Sequence, residues 1–297
     1  MKNIGYIGLG KMGFNMCERL LEKDWEVSAY NRSPKPTQDL AQKGAVPAYS
    51  LRELVSRMSE PRLLWLMVSH EAVDNILNEL TPLLSSVDVV IDGGNSLYKD
   101  SIRRNHELAQ KGIEFLDAGV SGGPVGARRG ACVMVGGKKE TFMEHEEVFH
   151  DIAAKHSYQY VGPSGAGHFC KMVHNGIEYG MMQSLAEGFA LLKQSPFGFD
   201  VNAIANLYNH GSVIESRLVS WLADGLEEYG TELEKISGAV AQSGEGLWTV
   251  ETAQEMGIEA ASIKLAVDFR TQSQNKPSYT GKLLSAMRNQ FGGHKVT

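Results

Sequence analysis

Lys171, His174, Asn175, Glu178 and Tyr179 fall inside one short run, "KMVHNGIEYG", whose other members are glycine or apolar. Read as a helix, positions 171, 174, 175 and 178 follow the i, i+3, i+4, i+7 spacing and share one face, so the polar groups form a stripe. Lys171 and Glu178 then stand two turns apart, roughly 10 Å along the axis. That is too far for an i,i+4 salt bridge and suits two groups flanking one small molecule. A lysine acts as a general base when desolvation or positive neighbours lower its pKa, and a glutamic acid acts as a general acid when burial raises its own. Charges on a helix more often mark a solvated face. Here Met172, Val173 and Ile177 argue that the other faces are buried.

A place for a hydride acceptor is encoded at the amino terminus. "YIGLGKMG" sets Gly8, Leu9, Gly10, Lys11, Met12 and Gly13 directly after an apolar run and at the start of a helical one. A lone GxGxxG is weak, but strand, turn and helix together let a pyrophosphate approach the backbone and meet the helix N-terminus. At the end of the second apolar run, "AYNRS" offers Asn31, Arg32 and Ser33 where an acid would accept the adenosine ribose hydroxyl. A neutral Asn31 beside Arg32 and the Ser33 hydroxyl suits a 2′-phosphate, so NADP is favoured over NAD. The plainer reading is a solvent-facing Arg32. Val68 in "MVSH" and Asn95 with Ser96 in "DGGNS" follow the third and fourth apolar runs, where open sheets bind ligands. Asn95 and Ser96 are also good turn formers. Dinucleotide chemistry beside a Lys and Glu pair points to oxidation of an alcohol.

In "DAGVSGGPVGA", residues 117–127, Ser121, Gly122 and Gly123 follow another apolar run. Two glycines expose backbone N–H groups to an anion such as a carboxylate, and the serine adds a donor. A flexible loop explains the same residues equally well.

These groups need elements to hold them. Apolar runs at Asn3–Ile7, Glu26–Tyr30, Leu63–Val68, Val87–Ile91, Glu114–Asp117 and Cys132–Gly136 alternate with helical patterns such as Met12–Leu21. Such alternation predicts a doubly wound, Rossmann-like α/β domain. After "VGPSGAGH" the strand signals nearly stop, and helices are expected over about 165–194, 200–209, 212–228, 231–242, 248–256 and 260–274. The expected domains are therefore 1–163, dinucleotide-binding, and 164–297, all-α and concerned with substrate and oligomerisation. The segment "MRNQFGGHKV" reads as a polar arm following its helix.

Composition narrows the function classes. With 297 residues, 42% apolar, 22% charged and a formal charge of -6, the chain lacks the basic footprint of a nucleic-acid or membrane-surface protein. Cys17, Cys132 and Cys170 fall in no metal-ligand spacing and suit a reducing compartment. With no signal-peptide pattern and no apolar run of spanning length, a cytoplasmic protein is expected.

Taken together, "IGLGKMG", "DGGNS", "SGGPVGA", "KMVHNGIEYG", "GEGLWT" and "RNQFGGH" resemble the decarboxylating 6-phosphogluconate dehydrogenases, end to end, in the short form lacking a second helical repeat. The first and third motifs are shared with the wider β-hydroxyacid dehydrogenase group. The resemblance implies that Lys171 deprotonates the C3 hydroxyl of 6-phosphogluconate during hydride transfer, and that Glu178 protonates C1 of the enediol left by loss of carbon dioxide. It implies that Asn95, Ser121, Gly122, Gly123, His174 and Asn175 hold the sugar acid, that Tyr179, Thr249 and Arg270 line its phosphate end, and that no metal takes part. It also implies a homodimer or homotetramer, with Arg288 and His294 on a tail reaching a neighbouring active site. One position departs: Leu247 stands where the family carries Lys or Arg. A hydroxyisobutyrate-type dehydrogenase and a catalytically silent dinucleotide-binding protein are the competing readings.

Overall fold

The computed structural model describes residues 2–242 and 244–296, in two compact units, Met1–Lys171 and Met172–Thr297. The first unit alternates strands and helices in chain order: β1 (Asn3–Ile7), α1 (Lys11–Leu21), β2 (Glu26–Tyr30), α2 (Pro34–Ala41), β3 (Val46–Ala48), α3 (Leu51–Ser56), β4 (Leu63–Leu66) and α4 (His70–Leu80). It continues through β5 (Val89–Asp92), α5 (Tyr98–Ala109), β6 (Glu114–Ser121), α6 (Gly123–Arg129), β7 (Ala131–Gly136), α7 (Lys139–Glu144), α8 (Glu146–Ile152) and β8 (Ala153–Gly162). Its sheet runs β3-β2-β1-β4-β5-β6-β7-β8, and β7 lies antiparallel to β6 while the other pairs are parallel. After β3 the chain returns to the other side of β1, which puts the strand-order reversal, and so the ligand crevice, at the carboxyl ends of β1 and β4.

The strand sequences explain the two-sided cover. "LLWL" in β4 and "VVID" in β5 are buried at every position, as strands with helices on both faces must be. Successive residues serve opposite faces. Tyr6, Trp65 and Ile91 join one apolar cluster with Met16, Leu20 and Phe149. Ile7, Leu64, Leu66 and Val90 join the other with Leu54, Leu77 and Phe115. The doubly wound expectation holds, with β3 and β8 as strands the pattern did not reveal.

The second unit is helical. The helix α9 (Ala166–Gln194) enters it from the first unit and is followed by α10 (Val201–Tyr208), α11 (Arg217–Tyr229), α12 (Glu245–Glu255), α13 (Ala261–Ser273) and α14 (Tyr279–Gly292). The two compact units divide inside α9, at Lys171 and Met172. Asp200, Ser216 and Ser278 accept hydrogen bonds from the first turns of α10, α11 and α14, each worth about 1 kcal/mol. Met182, Phe189, Leu222, Leu226, Leu283 and Met287 build the core.

Two segments differ from the sequence pattern, one expected helix and one expected arm. Residues 231–242 form turns, although Leu233, Ile236 and Val240 are buried at helix-like spacing. Gly230 (φ 75°) and Leu233 (φ 50°) take left-handed conformations, and Gly238 presses its carbonyl so closely on Gly281 that a Cβ there would stand 1.9 Å from it. A helix fits neither constraint. Residues 287–292, read as the start of an arm, are the last turns of α14, whose Leu283, Leu284, Ala286, Met287 and Arg288 are all buried. The segment looked polar because Arg288 is buried for a reason other than apolar packing.

Candidate active site

Between β1 and α1 the chain turns too tightly for side chains. Gly8 has φ 100°, and a Cβ on Gly13 would lie 2.0 Å from the Gly8 carbonyl oxygen. Around Gly10 the space is open, nothing lying within 4 Å of an added Cβ. Gly10 also caps α1 without a side-chain hydrogen bond. A helix N-terminus reached over an uncovered glycine fits a pyrophosphate. Asn31 ties this loop to the end of β2: its Oδ1 accepts from the Leu9 amide at 2.9 Å, and its Nδ2 donates to the Ser33 hydroxyl at 2.9 Å. Arg32, next to it, is exposed. Lys11 and Met12 open α1. Val68 meets the same turn, its Cγ1 lying 2.7 Å from a Cβ built on Gly8.

The loop after β5 is held by charges that no motif revealed. Buried Asp92 accepts from the Ser96 hydroxyl at 2.7 Å, from the Gly94 amide at 3.0 Å and from the Arg104 guanidinium at 3.2 Å. Arg104 also bonds Ser96 at 3.0 Å and Asp74 at 2.7 Å. Ser96 is thus part of the scaffold, and half-buried Asn95 is the residue the loop presents.

At the start of α9 the fold fixes Lys171. The buried Asp117 carboxylate on β6 accepts from the Gly165 amide at 2.7 Å and the His168 amide at 2.8 Å, satisfying the helix's first free donors. A Cβ on Gly167 would stand 2.4 Å from the Asp117 carbonyl oxygen, and one on Gly119 would stand 2.4 Å from Lys171 Cβ. The lysine therefore rests directly on the backbone of β6. Two residues further on come Ser121 and the glycines Gly122 (φ 129°) and Gly123 (φ 62°). Gly119→Ala is expected to displace Lys171 and lower turnover at least tenfold, since a 1 Å misplacement can cost about 10²-fold. Cofactor affinity, measured by fluorescence titration, should stay within about twofold because Gly119 is far along the sheet from the Gly8 turn.

In the second unit, α12 lies against α9 through two more glycines. A Cβ on Gly176 would stand 2.6 Å from Thr249 Cγ2, and one on Gly246 would stand 2.5 Å from Tyr179 Cε2. The Thr249 hydroxyl donates within this contact, with Met172 O and Glu245 O both at 2.8 Å. Close packing brings the stripe's residues to partners: Asn175 Nδ2 donates to Glu245 Oε1 at 3.2 Å, Asn175 Oδ1 lies 2.9 Å from His174 Nδ1, and that nitrogen is 4.0 Å from Glu178 Oε2. Met172 is buried as expected, but Ile177 is 52% exposed. The face opposite the stripe is therefore only partly covered within this chain.

Arg270, on α13, is 1% exposed, with its guanidinium carbon 3.3 Å from the centroid of the Tyr179 ring. Among the described residues its Nε and Nη1 and the Tyr179 hydroxyl have no hydrogen-bond partner. Burial pushes the Arg270 pKa down to about 10, against the attraction of Tyr179 and with help from the Arg288 charge. Burial also lowers the Arg288 pKa, opposed by Tyr179, Glu178 and Glu245. The two guanidiniums thus share one buried neighbourhood, and a desolvated cation with unsatisfied donors is a site for an anion. Leu247, in the first turn of α12, is 42% exposed.

The first six residues of the expected arm, 287–292, are thus helical. Arg288 belongs to α14 and to its own chain's cluster with Tyr179 and Glu178. Exposed His294 sits beyond the left-handed cap Gly293, its ring 6.1 Å from that of Phe291. Unit 1 carries Asn95, Ser121, Gly122, Gly123 and Lys171, and unit 2 carries His174, Asn175, Glu178, Tyr179, Thr249, Arg270 and Arg288. Sequence reasoning missed Asp117, Gly119 and Glu245. For Glu245 the signal was an acid set between two glycines, "GEG", in a helix's first turn.

A Rossmann-like unit with an open glycine turn, followed along the chain by a helix carrying Lys171 and Glu178 and by a helical unit, defines an NAD(P)-binding oxidoreductase. Residues 3–162 match the NAD binding domain of 6-phosphogluconate dehydrogenase, and residues 167–281 match its C-terminal domain. The chain belongs to the 6-phosphogluconate dehydrogenase family. It is 44% identical to YqeC of Bacillus subtilis, a candidate 6-phosphogluconate dehydrogenase, over 98% of each chain. It is 37% identical to the NAD(+)-dependent, decarboxylating 6-phosphogluconate dehydrogenase of Haloferax volcanii, over 99% of this chain and 98% of that one. A solved 6-phosphogluconate dehydrogenase of Plasmodium falciparum, described in its apo form, with NADP+ and with 6-phosphogluconate, shares 28% identity at a TM-score of 0.82, over 96% of this chain and 70% of the other.

Proposed function

We propose that this chain oxidises and decarboxylates 6-phosphogluconate to ribulose 5-phosphate with reduction of NADP. The observation that carries the substrate class is Arg270, a buried guanidinium with two unsatisfied nitrogens close to Glu178 and Tyr179. When bound, the nicotinamide supplies the acceptor for the C3 hydride. Neutral Lys171 takes the proton of the C3 hydroxyl as that C–H bond breaks, leaving a 3-keto acid. The C1–C2 bond then breaks, carbon dioxide leaves, and the bonding pair moves toward the C3 oxygen, which the Lys171 ammonium protonates to give the enediol. Glu178 delivers a proton to the carbon that lost the carboxylate, while Lys171 recovers the proton of the enediol hydroxyl and the ketose forms. A β-keto acid is its own electron sink. Asn95, Ser121, Gly122, Gly123, His174 and Asn175 orient the acid end, and Tyr179, Thr249, Arg270 and Arg288 receive the phosphate. Steady-state rates with NADP and NAD, each against 6-phosphogluconate and gluconate, test the reading. Arg32 favours NADP, and higher kcat/KM with NAD would remove it from the cofactor site.

A cation whose folded pKa lies below its unfolded one is held more tightly protonated by the unfolded chain, so burying charged Arg270 costs stability at every pH below about 10. An anion that pairs with it should raise the melting temperature at neutral pH. At ligand one hundredfold above Kd the gain is about 2.7 kcal/mol. Arg270→Met is expected to melt no lower than the parent without ligand, yet to lose most of the 6-phosphogluconate-induced rise in a thermal-shift assay. A full rise in the variant would place the phosphate elsewhere.

Leu247 leaves the phosphate end one cation short of the family pattern. Leu247→Lys is expected to lower the KM for 6-phosphogluconate by one to two decades, the worth of a charge-assisted contact of about 1.5–3 kcal/mol. An unchanged KM would mean that Arg288 or another cation already fills the role. Val213, Phe197 and Leu191 are exposed apolar residues of the second unit, which supports assembly as a homodimer or homotetramer; light scattering would read a monomer if this is wrong.

A further inference from the structure

Glu245 is buried, 4% exposed, at the first turn of α12, and its Oε1 accepts from Asn175 Nδ2 at 3.2 Å. A carboxylate offers only acceptors, so it fixes which end of the Asn175 amide faces it. The other end, Oδ1, is then the atom placed 2.9 Å from His174 Nδ1. An amide oxygen only accepts, so His174 must carry its proton on Nδ1, and a neutral ring leaves Nε2 as the acceptor. We propose that Glu245 is a positioning residue that sets the tautomer of His174 through Asn175, so that His174 presents an acceptor to a hydroxyl of the sugar acid.

The packing supports this role. Gly176 and Gly246 let α12 approach α9 so closely that Glu245 reaches Asn175, and the Thr249 hydroxyl at 2.8 Å from Glu245 O locks the same turn. Glu245 also favours the charged forms of Arg270 and Arg288, so one buried acid serves both ends of the cluster. A neutral His174 leaves Glu178, 4.0 Å away, outside a salt bridge and available for proton transfer. The proposal rests on the reading that His174 and Asn175 hold substrate.

The test is 15N NMR of the ring nitrogens of the full chain, with His174 assigned by comparison with His174→Gln. The parent at neutral pH should show the proton on Nδ1. Glu245→Leu should give a mixed tautomer and a KM raised about ten- to one-hundredfold, while Glu245→Gln, which keeps an acceptor, should restore most of both. A proton on Nε2 in the parent, or an unchanged tautomer in Glu245→Leu, overturns the proposal. The parent measurement decides even if Glu245→Leu fails to fold. A tautomer that switches with no change in KM leaves the relay standing and removes His174 from the substrate site, which separates the two failures.

Discussion

Lys171→Met is expected to lower kcat for 6-phosphogluconate by about 10²–10⁴-fold, the range a positioned general base contributes, and to abolish the first-turnover burst of reduced cofactor. The lysine has no alternative on its helix: its Cβ rests on Gly119, and the neighbouring polar residues of the stripe, His174 and Asn175, are engaged with each other and with Glu245. Methionine keeps the stem and the contact with β6 while removing the amine, so the fold should survive. Cofactor binding should also survive, because the glycine turn, Asn31 and Val68 belong to elements that Lys171 does not touch. Stopped-flow absorbance of the reduced nicotinamide reads both quantities. A variant that kept full turnover would falsify the assignment of Lys171 as the base.

Glu178→Gln should lower kcat by a similar factor but fail at a different step. With Lys171 intact, oxidation and loss of carbon dioxide can proceed once, so reduced cofactor should appear in a burst of about one equivalent before a slow steady rate. Protonation of the enediol carbon then limits turnover. If the burst disappears together with the steady rate, Glu178 acts before decarboxylation and the division of labour along α9 is wrong. The two variants therefore distinguish a base from an acid two helical turns apart, which steady-state rates alone would not.

Much of the site was legible because its chemistry is local in sequence. The glycine turn, "AYNRS", the strand-end loops and the polar stripe each lie within one element or one turn. Periodicity and residue type suffice for such features. What was hidden depends on partners distant in the chain. Asp117 reads as an ordinary strand end, and only the fold shows that it caps α9 through the amides of Gly165 and His168. Gly119 matters because Lys171, far along the sequence, sits on it. Arg104, which no sequence motif singles out, is buried and pairs with Asp92 and Asp74.

The fold was missed where local pattern and tertiary environment conflict. β3 is three residues with a proline among them, and β8 is an edge strand with mostly exposed or half-buried residues, so neither shows a run of apolar positions. Residues 231–242 carry apolar side chains at helical spacing, but close contact with α14 selects turns. Residues 287–292 did not read as helix because Arg288, Asn289 and Gln290 are polar. Yet Arg288 faces the buried cluster of its own unit, and Asn289 and Gln290 bond Tyr229 and Glu228 on α11.

The most direct measurement of the central claim is the ratio of carbon dioxide released to NADP reduced when the purified chain acts on 6-phosphogluconate. The account predicts one carbon dioxide per reduced cofactor, with loss of both in Lys171→Met. Reduced cofactor accumulating without carbon dioxide would contradict it and identify a dehydrogenase that stops at the keto acid.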